Sequence, residues 1–142
     1  MGDGRIGAAY LSDLAAQVGF LSAFLGGVAG TMLAMFVNAE QRRAVDVWAV
    51  AASALSAVAF IVAVIGCTQL LAALHPQAPA AVAAEGQVFA RAVAFLAFGL
   101  GVYAILLVLG LSGWRHSRGA GWITSAMALV GAGVVSLLLV GG

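Results

Sequence analysis

The distribution of charged residues along the chain indicates its structural class. Asp, Glu, Lys and Arg are missing from four windows, residues 14–39, 47–84, 92–114 and 119–142. Each window exceeds the roughly 20 residues with which an α-helix crosses about 30 Å of hydrocarbon. The pattern therefore predicts four membrane-spanning helices rather than a soluble domain.

Short polar segments separate the predicted helices and set their ends. The first helix stops where a charged stretch begins at Glu40, and the second stops before Pro76, because the residue before a proline is pushed out of the α region. We predict an all-α fold, an integral membrane up-and-down four-helix bundle in which short turns join neighbouring helices. The predicted spans of this single domain, residues 1–142, are about 14–37, 47–74, 88–111 and 121–140.

The second half of the chain matches the first at a fixed offset. A shift of 75 residues aligns Gly26 with Gly101 and Arg43 with Arg118. Because this offset equals two helices, a tandem duplication of a helical hairpin would produce such matches. Coincidence in a sequence dominated by Ala, Val, Leu and Gly would also produce them, and both interpretations stay open.

The composition agrees with a membrane location. Hydrophobic residues make up 64% of the chain and charged residues 8%, with a mean hydropathy of +1.13, whereas about a quarter of the residues in soluble domains are charged. The net charge of +1 gives no signal for a nucleic-acid partner. All basic residues are arginine, and the absence of lysine indicates a GC-rich, bacterial genome. We therefore predict a multi-pass protein of the bacterial inner membrane.

The arginines are unevenly divided between the two sides of the predicted bundle. The first and third turns share one side and hold four of the six arginines. By the positive-inside rule this side is cytoplasmic, so both termini are predicted to be periplasmic. The same surface is a candidate for contact with lipid headgroups or a partner's acidic loop, although the rule alone would also place basic residues there. Its members are Arg42, Arg43, Arg115, His116 and Arg118.

The first predicted helix carries the strongest signal for helix packing. Small residues recur along it every four positions, and one pair of them forms a GxxxG motif. In lipid, helices associate through close backbone approach, which small residues permit. Such a face either packs the bundle internally or binds another protein or a second copy of the chain. The predicted helix–helix interface consists of Ser22, Gly26, Gly27, Gly30 and Ala34.

Candidate chemistry is sparse. No ionisable side chain lies well inside a predicted span, so no catalytic residue is predicted. The single cysteine, Cys67, cannot form an intramolecular disulfide or a CxxC pair. His75 and His116 lie near helix ends without a Cys, Asp or Glu at ligand spacing, so neither a metal site nor a haem site is predicted. No cofactor is predicted, although the apolar faces leave room for a bound lipid or pigment.

These features favour a non-catalytic accessory or assembly subunit of a larger bacterial inner-membrane complex of the energy-transducing kind. Its partners would be membrane lipid together with other integral membrane subunits or a second copy of the chain. The alternative is a small homo-oligomeric channel or transporter whose pore is lined by hydroxyl residues of the second and fourth helices. An enzyme acting on lipid ranks third.

Overall fold

The computed structural model describes the backbone of residues 3–38, 44–75, 80–115 and 117–141. These residues form four long α-helices and one 3₁₀ turn, so the predicted all-α four-helix bundle is confirmed. The helices are α1 (Asp3–Val37), α2 (Ala44–Leu74), α3 (Ala80–Ser112) and α4 (Arg118–Gly141), with the 3₁₀ turn Gly113–Arg115 before α4.

All four helices are long and apolar enough to cross a membrane, as judged by length and composition. Their apolar segments lie within about five residues of the predicted boundaries. The largest of these differences is at the start of the first span, which begins at Ala9. The helix α1 itself begins earlier, at Asp3, because a helix can extend beyond its apolar segment. The candidate spans are Ala9–Val37, Val45–Leu74, Val88–Ser112 and Arg118–Ser136.

The chain divides into two compact units, the first comprising residues 1–27 and 58–99 and the second residues 28–57 and 100–142. Parts of α1, α2 and α3 contribute to both units, whereas α4 belongs to the second. The predicted duplication of a helical hairpin stays a prediction.

In the first unit, glycines bring the helices into close contact. A Cβ added to Gly26 would lie 3.3 Å from the Cβ of Phe60, and one added to Gly19 would lie 3.4 Å from the Cβ of Cys67. The residue numbers rise along α1 as they fall along α2, so the two helices are antiparallel. The closest approach joins α2 to α3, where a Cβ on Gly66 would lie 2.9 Å from the Cβ of Ala94.

In the second unit, side-chain hydrogen bonds join neighbouring helices. Ser56 on α2 donates to the carbonyl oxygen of Gly101 on α3 at 2.9 Å, and the hydroxyls of Tyr103 on α3 and Ser136 on α4 are 2.6 Å apart. Such interhelical bonds contribute on average about 0.6 kcal/mol in membrane proteins. Two further bonds hold the start of α4, from Thr124 Oγ1 to the Gly110 carbonyl oxygen and from Trp114 Nε1 to Ser125 Oγ, both at 3.0 Å.

Small side chains fill the interior and large ones face outward. Most of the buried apolar residues that the structure describes are alanines, such as Ala49, Ala63 and Ala94. Phe20 and Leu96, in contrast, are each 74% exposed. A soluble protein buries its large apolar side chains, whereas helices in lipid gain by bringing their backbones together.

The close contact at Gly66 predicts a selective loss of stability. We expect Gly66→Ala to destabilise the chain by about 1–3 kcal/mol, because the new methyl group would overlap Ala94 and force α2 and α3 apart. Gly99→Ala is the matched control, since a Cβ there meets nothing within 4 Å and the better helix propensity adds up to about 1 kcal/mol. Thermal unfolding in detergent checks both variants. Equal losses at the two positions would contradict the close helix contact.

Candidate functional site

The buried side chains of α1 and α2 repeat every seven residues. Within each repeat, steps of three and four residues alternate, so the average spacing is 3.5 residues. This spacing keeps the buried side chains on one side of each helix. The stripe, called the inner seam below, runs through Ala15, Val18, Ser22 and Ala29 on α1, and through Ala49, Ser53, Ser56, Phe60, Ala63, Cys67 and Leu70 on α2.

The small residues of α1 recur every four residues, so along the helix they rotate away from the inner seam. Each step of four residues turns about 40° beyond one full helical turn, so Ala34 lies about 120° around the helix from Ser22. Ser22 is fully buried and Ala34 is exposed. The five residues of the predicted interface thus divide between an inner and an outer face of α1.

Ser22 and Gly26 belong to the inner face. The Ser22 hydroxyl donates to the Val18 carbonyl oxygen at 2.7 Å, so its hydrogen-bonding need is met within α1. Gly26 allows α1 to approach Phe60 on α2, since a Cβ added to Gly26 would lie 3.3 Å from the Cβ of Phe60. These two residues serve the packing of the chain itself.

Gly27, Gly30 and Ala34 belong to the outer face. A Cβ built on Gly30 meets no atom within 4 Å, and the same is true of Gly27. Glycine in a helix interior costs about 1 kcal/mol relative to alanine, and internal contacts do not require it at Gly30. In a membrane helix, close approach by another helix is a physical reason for glycine.

A groove of about 360 Å³ follows α1 and α2 in the first unit, and we call it the α1 groove. On α1 the groove is lined by small residues, among them Gly26 and Gly27. On α2, Ile61 and Ile65 form an apolar ridge along it. Both isoleucines are exposed, so the groove opens outward. Its shape and composition suit a single apolar side chain inserted from a neighbouring helix.

The structure describes only one side chain of the predicted basic surface, that of Arg118. This residue begins α4 and is exposed. Ser117, just before it, caps the helix, since its Oγ accepts a 3.1 Å hydrogen bond from the Ala120 N–H. The joint surface stays a prediction. Outside the described residues lie Arg42, Arg43, His116 and the side chain of Arg115.

Asp46 is a buried acidic residue whose burial the sequence pattern does not reveal. Its side chain lies in the first turn of α2, where the helix dipole stabilises an acid, yet it is only 4% exposed. It borders a cavity of about 260 Å³ that is otherwise lined by Phe36, Val37, Val47 and Val50. In the sequence Asp46 stands at the end of a charged turn, which favours a solvated residue, and its burial depends on tertiary contacts.

Several hydroxyl groups of α2 and α4 bond to helix carbonyl oxygens rather than facing a common channel. Thr68 donates to the Ile65 carbonyl oxygen and Ser136 to that of Ala132, each at 2.8 Å. Ser53 differs from these residues: it is fully buried and its Oγ has no hydrogen-bond partner in the described part of the chain.

Comparison of the chain with protein-family models, with curated proteins and with solved structures finds no match. The two faces of α1 are therefore the basis for inferring a function.

The division of α1 predicts opposite responses to leucine at two neighbouring glycines. We expect Gly26→Leu to lower the stability of the isolated chain by about 1–3 kcal/mol, because its side chain collides with Phe60 on α2. Gly30→Leu should leave stability unchanged or slightly raised, since its Cβ meets open space. Thermal unfolding of the two variants in the same detergent measures this difference. A similar loss in both would mean that Gly30 also packs internally.

Proposed function

We propose that the chain is a non-catalytic accessory or assembly subunit of a larger bacterial inner-membrane complex, of the energy-transducing kind. In this proposal the outer face of α1 binds a transmembrane helix of a partner. The observation that supports it is Gly30, a helical glycine that belongs to the row of small residues on α1 and at which a Cβ would meet nothing within 4 Å.

A partner helix accounts for this glycine better than lipid does. Acyl chains adapt to the larger surface of alanine or leucine, so contact with lipid gives no reason to retain glycine. A second helix gains dispersion contacts and weak Cα–H···O contacts only if the two backbones approach closely. The α1 groove would receive one branched or aromatic side chain of that helix, between Gly27 and the Ile61–Ile65 ridge.

The remaining surface is consistent with a subunit anchored in the membrane. Trp48 and Trp122 are exposed on the side that the arginines mark as cytoplasmic, as expected for indoles at headgroup depth. Both termini would then be periplasmic.

Affinity purification from native membranes tests the proposal. The wild-type chain should be recovered at fixed stoichiometry with larger membrane proteins, and Gly30→Leu should reduce that recovery at least tenfold, because the side chain separates the two helices. Gly133→Leu on α4 is the matched control: a Cβ there also meets nothing within 4 Å, but leucines stand four residues to either side of Gly133, so it belongs to no row of small residues and the complex should persist.

Two results would contradict the accessory role. The wild-type chain could purify as a homomer that supports flux after reconstitution. Alternatively, Gly30→Leu could retain its partners at the wild-type ratio while remaining folded.

Asp46 favours a second candidate, a small homo-oligomeric transporter. A buried carboxyl group beside a cavity in a membrane helix is a common feature of proton and cation pathways. This candidate relies on the start of α2 rather than on a pore lined by hydroxyls.

Liposome flux tests the transporter directly. If the chain moves protons or monovalent cations, Asp46→Asn should abolish the flux, because the amide cannot carry the charge, while Asp13→Asn on the exposed face of α1 should not. Absence of flux for the wild-type protein in sealed vesicles would rule this candidate out.

A further inference from the structure

A second groove, of about 450 Å³, lies between α3 and α4 in the second unit, and we call it the α3–α4 groove. Its walls are leucines such as Leu106 and Leu129, and small residues such as Gly110, Ala128 and Ala132 separate them. Polar groups occur near its two ends. The hydrogen bond between Tyr103 and Ser136 marks one end and that between Trp114 and Ser125 marks the other.

The width of this groove selects a thin occupant. A Cβ on Gly110 would lie 3.3 Å from the Cβ of Ala128, and one on Gly131 would lie 3.4 Å from Cδ2 of Leu106, so α3 and α4 are in contact at two levels of the groove. A transmembrane helix with its side chains is about 10–12 Å across and cannot enter a crevice between touching helices. A single hydrocarbon chain can enter it, and the apolar lining suits such a chain.

Charge is placed at one end of the same groove. Arg118, Ser125 and Ala132 are seven residues apart, a spacing that puts all three on one face of α4. Ser125 and Ala132 line the groove, so the exposed Arg118 lies on the same face about 10 Å beyond Ser125.

Two indoles flank the charged end of the groove. The rings of Trp114 and Trp122 are 6.2 Å apart, and Gly121 allows Trp114 to lie directly on α4, since a Cβ at this position would be 2.6 Å from that ring. Tryptophan is enriched at headgroup depth in membrane proteins.

We propose that the α3–α4 groove binds one anionic phospholipid, with an acyl chain between α3 and α4 and the phosphate beside Arg118. A basic residue contributes roughly a fivefold preference for an anionic over a zwitterionic lipid at a membrane surface. The proposal is independent of the accessory role, which depends on α1.

Tryptophan quenching by brominated lipids tests this site. The protein is reconstituted in phosphatidylcholine vesicles that contain brominated phosphatidylglycerol or, in parallel, brominated phosphatidylcholine. Brominated phosphatidylglycerol should quench at about fivefold lower mole fraction. Arg118→Gln should remove this preference, whereas Arg91→Gln, an exposed arginine on α3, should preserve it.

A groove-filling variant separates the acyl chain from the headgroup. Ala132→Phe should occupy the groove and reduce the quenching by both lipids, whereas Ala126→Phe, on an exposed face of α4, should not. Unchanged thermal unfolding confirms that both variants fold.

Equal quenching by the two lipids, or a preference that survives Arg118→Gln, would overturn the proposal. It would also be overturned if Ala132→Phe left lipid quenching intact and instead released protein partners, because the groove would then hold protein. Loss of partners on Gly30→Leu with normal lipid quenching would leave it standing.

Discussion

Close approach of helix backbones is the interaction on which this structure depends. Where lipid surrounds a protein, burying a leucine gains little, because the surroundings are as apolar as the interior. Stability must then come from packing density, and density requires small residues at the contacts. Gly66 against Ala94 shows the result most clearly, with room for a hydrogen atom and none for a methyl group. The exposed phenylalanines and leucines follow from the same constraint, since large side chains are displaced to the lipid-facing side.

Two periodicities on α1 turn this constraint into two surfaces. The buried residues of α1 repeat every 3.5 residues on average, whereas the row of small residues repeats every four and rotates away from them. Ser22 and Gly26 lie where the row still overlaps the seam, and Gly30 and Ala34 lie beyond the overlap. One helix can therefore pack inside its own chain and present a second small-residue surface outward.

The sequence predicts the fold class and the spans, because the length of an uncharged window is fixed directly by the thickness of the bilayer. It also identifies the small residues of α1 as contact residues. It does not predict which of them face inward, because that depends on the rotation of α1 against Phe60, a tertiary property. The burial of Asp46 and the α3–α4 groove were missed for the same reason: both arise from residues distant in sequence. α1 begins at Asp3, ahead of the predicted span, because a helix can extend beyond its apolar segment.

The two outward surfaces differ in the residues that line them. Glycine contacts bring α1 to α2 at Gly26 and α3 to α4 at Gly110. α4 is held in addition by side-chain hydrogen bonds, and the leucine-walled groove lies between the Tyr103–Ser136 and Trp114–Ser125 bonds. A surface of glycines suits another helix and a leucine-walled crevice suits a hydrocarbon chain, so the side chains that line each surface determine which neighbour it can accept.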